Sequence, residues 1–339
     1  MYTLGFAGVA KNTGKTTTAL AVLQLAQADG LRLALTSIGY DGEDRDNVTG
    51  LPKPRYALPV GCLVASAQRC LQVSPAGLNL LHNTGIATIL GPVLIAEVTR
   101  PGLVLLAGPN QQTQIEALLK QFAALKAELC LLDGALNRLT PLAAADGLLL
   151  STGAAFNEDA AQLIDHAAAL TSLFRLSAPP ASLETAADRG SLLSAQAAEQ
   201  LIQTLPHSDN HILLSGAAAP QHCLTVQQAL CRPLHWSFAN PLRMIAAGDP
   251  RSWRDFIAQV RAAGGDVHTL RPLPLHALTL NPFYPRYLPA AGRYEAACLP
   301  AAELLQQARL RLPDELPVLD LHQQGAAALR PHLPFLKRN

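Results

Sequence analysis

The chain of 339 residues is short of charge, has no basic tract and has no closely spaced cysteine pair. Asp, Glu, Lys and Arg make up 15% of it and the formal net charge is +1, which argues against nucleic acid or an anionic membrane surface as its main partner. The most apolar stretch, 86–98, is broken by Gly91, Pro92 and Glu97 and falls short of the ~20 apolar residues that a bilayer requires. No membrane span is expected. Met1 to Gly8 has neither a basic leader nor a small-residue cleavage site, so the expected location is cytoplasmic. The cysteines at 62, 70, 130, 223, 231 and 298 form no CxxC pair, which predicts buried free thiols and no disulfides. No internal repeat at a fixed period is present.

Nearly half of the residues (49%) are apolar, enough for a sizeable core, and the length suits two α/β domains. Short apolar runs alternate with Ala-, Leu- and Gln-rich segments of helical period, the pattern of a parallel sheet covered by helices. Strands are predicted over 3–7, 33–37, 93–98, 103–107, 129–133 and 147–151. A helix over 111–125 would join the fourth and fifth of these by a right-handed crossover. The composition changes after Leu176 at Ser177, Ala178, Pro179 and Pro180. Beyond it, strands are expected over 211–215, 267–270, 276–280 and 318–321, with helices over 252–263 and 301–309. The expected fold is a P-loop NTPase α/β domain with a parallel sheet over 1–178, followed by a smaller α/β domain over 205–325.

The strongest chemical signal is Gly8, Val9, Ala10, Lys11, Asn12, Thr13, Gly14, Lys15, Thr16, a glycine-to-GKT loop between a predicted strand and a predicted helix over 16–27. It is one residue longer than GxxxxGK[ST], because Val9 stands where that pattern has its first glycine. Glycines let backbone N–H groups turn onto phosphate oxygens, and the helix N-terminus favours an anion. Lys15 would then neutralise the β and γ phosphates of ATP, and Thr16 would hold Mg2+ through its hydroxyl. Thr17 would cap the helix or touch the α phosphate. Gly8, Asn12, Thr13, Gly14, Lys15, Thr16 and Thr17 are thus the expected nucleotide-binding residues.

Lys11 invites comparison with the signature lysine of deviant Walker A ATPases, which reaches phosphate across a homodimer, although its register is one residue short; the plain alternative is a solvated loop lysine. After the second strand, Tyr40, Asp41, Gly42, Glu43, Asp44, Arg45 and Asp46 form an acidic cluster at the edge where open α/β sheets bind ligands. Asp41 would bind magnesium and Glu43 would orient an attacking water, unless the cluster is only a solvated loop. Leu131, Leu132, Asp133, Gly134 ends the fifth strand in the manner of a Walker B strand. Asp133 would support magnesium there, or alternatively cap a following helix. Asn137 and Arg138 follow as candidate contacts, as do Lys53 in the 50–54 turn and the Ser151–Ala154 stretch. His222, Cys223, Cys231 and His235 have a loose zinc-like spacing without a close pair.

Taken together, AKNTGKTTT at 10–18, SIGYDGEDRD at 37–46, LLDGALNR at 131–138, LLSTGA at 149–154 and TLNPFYP at 279–285 resemble the P-loop ATPase subunit of the lysine 5,6-aminomutase reactivases, in the dethiobiotin-synthetase-like superfamily. The resemblance covers most of the chain. It implies ATP hydrolysis that reactivates an adenosylcobalamin-dependent aminomutase, together with a second reactivase ATPase subunit related to mismatch-repair proteins. Lys11, Lys15 and Glu43 would be its catalytic residues, and Thr16, Asp41 and Asp133 its magnesium residues. The competing expectation is a dethiobiotin-synthetase-like ligase that activates a small carboxylate at the same loop. Amidation from glutamine is disfavoured, because Cys223, Cys231 and Cys298 lack a Gly-rich nucleophile elbow.

Overall fold

The structure, a computed structural model, describes residues 1–41, 56–134, 140–183, 188–189 and 192–337, with backbone alone at Tyr40, Asp41, Ser182 and Ala290. Its elements in chain order begin with β1 (Tyr2–Gly8), α1 (Lys15–Ala28), β2 (Leu33–Ser37), β3 (Leu63–Ala67), β4 (Gly77–Thr88) and β5 (Gly91–Arg100). Next come α2 (Gln112–Ala124), β6 (Leu129–Asp133), β7 (Gly147–Gly153), α3 (Ala160–Ser172), α4 (Ala195–Thr204), β8 (His211–Leu214) and α5 (Pro220–Leu230). Then follow β9 (His235–Phe238), α6 (Pro241–Ala247), α7 (Pro250–Ala262), β10 (Asp266–Thr269), β11 (Leu275–Asn281) and the hairpin β12 (Phe283–Leu288) and β13 (Arg293–Cys298). After these come α8 (Ala301–Arg311) and β14 (Val318–Leu319), and two short helical turns, Leu321–Gln324 and Ala326–His332, follow.

Two compact units result, one of residues 1–163 with 275–339 and the other of residues 164–274. These bounds differ from the sequence-based 1–178 and 205–325. Residues 275–339 join the first unit because β11 pairs parallel with β7, and β14 with β11.

The first unit holds a nine-stranded sheet in the order β14–β11–β7–β1–β6–β2–β3–β5–β4. Its pairs are parallel except β3–β5 and β5–β4, which are antiparallel. β2, β3, β6 and β7 are buried at every position, which is why they read as continuous apolar runs without alternation. Two expectations are corrected here. The strand expected over 93–98 belongs to an antiparallel hairpin, β4–β5, not to the parallel set. The run 103–107 is no strand of the main sheet: Leu103 pairs with Ala57, and Leu106 with Asp41, in two short antiparallel ladders. Its apolar character serves burial, since Val104, Leu106 and Ala107 are core residues, so no crossover starts from it.

Helix α1 buries Thr16, Thr18, Ala19, Ala21, Val22, Leu23, Leu25 and Ala26, a wider band than a surface helix needs. The C-terminal segment accounts for this, because Leu329, Leu333 and Leu336 pack in the same core. Arg330 Nη1 reaches both carboxylate oxygens of Asp29, the C-cap of α1, at 2.8 and 2.9 Å. That guanidinium, with the Lys337 backbone N–H, holds the Asp29 carboxyl below the usual carboxylate range.

The second unit carries a three-stranded parallel sheet, β8–β9–β10. In a strand alternate residues face opposite sides. One side presents Trp236 and Phe238, which meet Trp253 and Phe256 of α7 edge-to-face at ring distances of 5.1–5.3 Å. The other side carries His211, His235, Ser237 and His268, with His211 Nε2 and Ser237 Oγ 2.8 Å apart. Burial pushes the His211 and His268 imidazoles down from the ordinary histidine value. Among the described residues no helix is long and apolar enough to cross a membrane.

Candidate functional site

The chain runs from β1 outward to β2 and β3, then returns to insert β6 between β1 and β2 and passes to β7 on the far side of β1. This reversal opens a crevice at the carboxyl ends of the parallel strands, where open α/β sheets bind ligands. Gly8, Ser37, Asp133, Gly153 and Asn281 all end strands at that edge.

The segment from Gly8 to Lys15 joins β1 to α1 there. Asn12 and Gly14 have φ of +63° and +90°, the left-handed region that glycine, and next asparagine, enters most cheaply. Thr13 Oγ1 donates to the Ala10 carbonyl at 2.9 Å, and the Val9 N–H bonds Ser151 O at 3.0 Å. A side chain at Gly8 would have its Cβ 2.9 Å from Thr13 Oγ1, so a Cβ there would press on the bonded Thr13 hydroxyl. Helix α1 starts at Lys15 with Gly14 as N-cap and no side-chain cap, so Thr17 does not cap it. The N-terminus of a helix entered from such a loop is a geometry that favours anions in general.

Lys15 Nζ is ion-paired with Asp133 Oδ1, and the Asp133 side chain is only 1% exposed. The expected phosphate-neutralising and magnesium-supporting residues are thus neighbours, Lys15 at the start of α1 and Asp133 at the end of β6, where Phe6 of β1 lies opposite it. The carboxylate end of this ion pair is withdrawn from solvent, while the lysine end stays partly exposed. Thr16 is buried, whereas Lys11 and Asn12 are exposed. Asp41 lies on a short strand paired with Leu106, just beyond β2. Glu43, Lys53, Asn137 and Arg138 lie outside the described residues.

Beneath the loop, three hydroxyls meet. Thr18 Oγ1 is 2.9 Å from Thr279 Oγ1 and 3.2 Å from Ser151 Oγ, and Ser151 Oγ is 2.8 Å from Thr279 Oγ1. All three residues are buried. Thr18 Oγ1 also donates to the Gly14 carbonyl at 3.1 Å, so a directed chain can run from β7 through β11 and α1 to the N-cap. Each such neutral bond stabilises by about 1 kcal/mol net. At the next step along the strands, the Ala154 N–H bonds the Asn281 carbonyl at 2.9 Å, and Asn281 Nδ2 donates to the Asn12 carbonyl at 2.7 Å. The sequence marks 151–154 as a strand end and 279–285 as the loop after a strand, but Thr18 has no role of its own there, since a second threonine after GKT reads as ordinary helix.

The loosely spaced zinc candidates are engaged elsewhere. His222 Nδ1 bonds the Leu193 carbonyl at 2.9 Å, Cys231 Sγ lies 2.7 Å from Gln228 O, and His235 stacks on His268 with ring centroids 6.2 Å apart. Burial pushes the Cys223 thiol well up, and it pushes that of Cys62 up to about 12. Among the described residues no group of three or more His, Cys, Asp or Glu can hold a metal ion. The sequence matches no protein-family model, and no curated protein matches it significantly.

Proposed function

We propose that this protein binds and hydrolyses ATP with magnesium at the Gly8–Thr16 loop, and that hydrolysis drives reactivation of an adenosylcobalamin-dependent aminomutase with a second ATPase subunit. The observation that carries the first part is a left-handed loop leading into an uncapped helix, with Lys15 and a nearly inaccessible Asp133 side by side at the sheet's carboxyl edge. The second part rests on the family resemblance of the motifs in their order.

The first-turn amides of α1 and the loop amides would face the β and γ phosphates, with Lys15 transferring its charge from Asp133 to phosphate. Thr16 and Asp133 would hold the magnesium, with Asp41 as a further ligand. When bound, the ion offsets charge on the transferring phosphoryl group. Glu43 would position the attacking water, and Lys11 would add charge where the leaving phosphate develops it. The nucleotide would therefore find its donors pre-oriented, which is how most of the barrier reduction in phosphoryl transfer is achieved.

The loop's extra residue at Val9 also favours a second reading, phosphoryl activation of a small carboxylate as in dethiobiotin-synthetase-like ligases. Steady-state phosphate release separates them. Stimulation by an aminomutase carrying inactivated cobalamin, lost in Lys15→Ala, supports the reactivase; hydrolysis indifferent to the aminomutase but dependent on a small carboxylate supports the ligase.

A further inference from the structure

We infer that Asn281 is a positioning residue that fixes the apex of the Gly8–Thr16 loop and ties it to the β12–β13 hairpin; its role in nucleotide binding rests on the function proposed above. The side-chain amide is used at both ends. Nδ2 donates to the Asn12 carbonyl at 2.7 Å, and Oδ1 accepts the Phe283 N–H at 3.2 Å. A backbone carbonyl only accepts and a backbone N–H only donates, so these partners permit one orientation of the amide. One planar group therefore spans the loop apex and the first residue of the hairpin.

Its own backbone is held firmly. Pro282 follows, which disfavours the helical region for Asn281, and the Asn281 carbonyl accepts the Ala154 N–H at 2.9 Å. The buried Pro282 in turn accepts the Leu299 N–H at 2.9 Å, closing the base of the hairpin. At the other end, Asn12 sits at φ +63°, a left-handed conformation that a non-glycine residue keeps only where its surroundings hold it there. The bond from Asn281 supplies that enforcement at the residue whose neighbours would face phosphate. Gly14, two residues on, has a Cβ position 3.2 Å from Asn281 Cβ, so the same side chain also limits how far the loop can fold back.

The hairpin is the exposed end of this linkage. It pairs through six residue pairs from Phe283–Cys298 to Leu288–Arg293 and sets the Tyr287 ring against that of Tyr294, tilted by 55° with centroids 5.1 Å apart. A two-stranded hairpin has little stability of its own, so its dynamics respond to what holds its base. Ordering the loop by nucleotide would thus slow amide exchange in 283–298, and that effect would pass through Asn281.

The test compares wild type, Asn281→Asp and Asn281→Gln by magnesium-ATP titration and by hydrogen exchange with and without nucleotide. Asp keeps the acceptor for Phe283 but sets a carboxylate oxygen against the Asn12 carbonyl; Gln keeps the donor on a longer stem. We expect Asn281→Asp to bind ATP at least tenfold more weakly, with partial recovery in Asn281→Gln, and to lose the nucleotide-dependent slowing over 283–298 that wild type shows. In the free protein, exchange over 10–14 should accelerate several-fold in Asn281→Asp, a readout that needs no nucleotide. If wild type fails to bind ATP but 10–14 loosens, the positioning role stands and the nucleotide function falls. If exchange over 10–14 is unchanged, or ATP binds equally to wild type and Asn281→Asp, the inference is overturned.

Discussion

Gly153→Ala perturbs a close backbone contact between strands of the site. A Cβ at 153 would lie 2.0 Å from the Asn281 carbonyl oxygen and 2.8 Å from its carbon, well inside van der Waals contact, and both neighbours are backbone that cannot rotate away. β7 and β11 must part at their carboxyl ends. The strain of forced overpacking is about 1–3 kcal/mol, and the Ala154 N–H to Asn281 bond, about 1 kcal/mol net, is lost with it. A loss of about 2–4 kcal/mol corresponds to a fall of about 1–2 M in the urea midpoint, for a slope of about 2 kcal/mol per M. Far-UV circular dichroism follows the sheet, while tryptophan fluorescence reports the second unit, because Trp236 and Trp253 both lie within 164–274. The expected result is a lowered dichroism midpoint with a steadier fluorescence midpoint. Midpoints equal to wild type within about 0.3 M by both probes would refute the claim that β7 and β11 are in obligatory backbone contact at Gly153.

Three further outcomes follow from the same geometry. Thr279→Val removes the central hydroxyl of the buried trio while keeping its shape, so it should lower stability by about 1–2 kcal/mol in urea titration; no loss would mean that the trio contributes nothing net. Burial lowers the affinity of His211 and His268 for protons in the folded state, so the unfolded chain binds more protons as pH falls below the ordinary value near 6.5. The second unit's stability should therefore be full above about pH 6.5 and decline below it, with a shallower decline in His268→Gln; a fluorescence midpoint flat between pH 7.5 and 5 contradicts this. Lys11→Ala, altering an exposed lysine, should impair hydrolysis more than nucleotide affinity, and equal turnover would remove Lys11 from the catalytic set.

Much of the sheet was legible because its strands are buried on both faces. β2 and β6 read correctly to the residue, each a five-residue run with no exposed position. The hairpin β4–β5 was half hidden. β4 exposes Leu80 and Leu81 side by side and shifts register three times, so neither alternation nor a continuous apolar run marks it. The run at 103–107 shows the converse, apolar residues used to fill the core without joining the main sheet. The return of β11 and β14 to the first unit left no local trace, because strand pairing between distant segments is decided by tertiary packing. At the site, the glycines and Lys15 were legible as a motif, whereas the meeting of Thr18, Ser151 and Thr279 depends on one helix and two strands brought together only by folding.

The most direct test of nucleotide binding at this loop is calorimetric titration of magnesium-ATP into wild type and Lys15→Ala, with Lys15→Met as a variant that keeps the aliphatic stem and circular dichroism to verify the fold. Charge-assisted hydrogen bonds contribute about 1.5–3 kcal/mol, so affinity should fall about tenfold to a hundredfold in both variants. Saturable one-to-one binding in wild type with that loss is the predicted result; no binding in wild type, or equal affinity in all three proteins, would contradict the account.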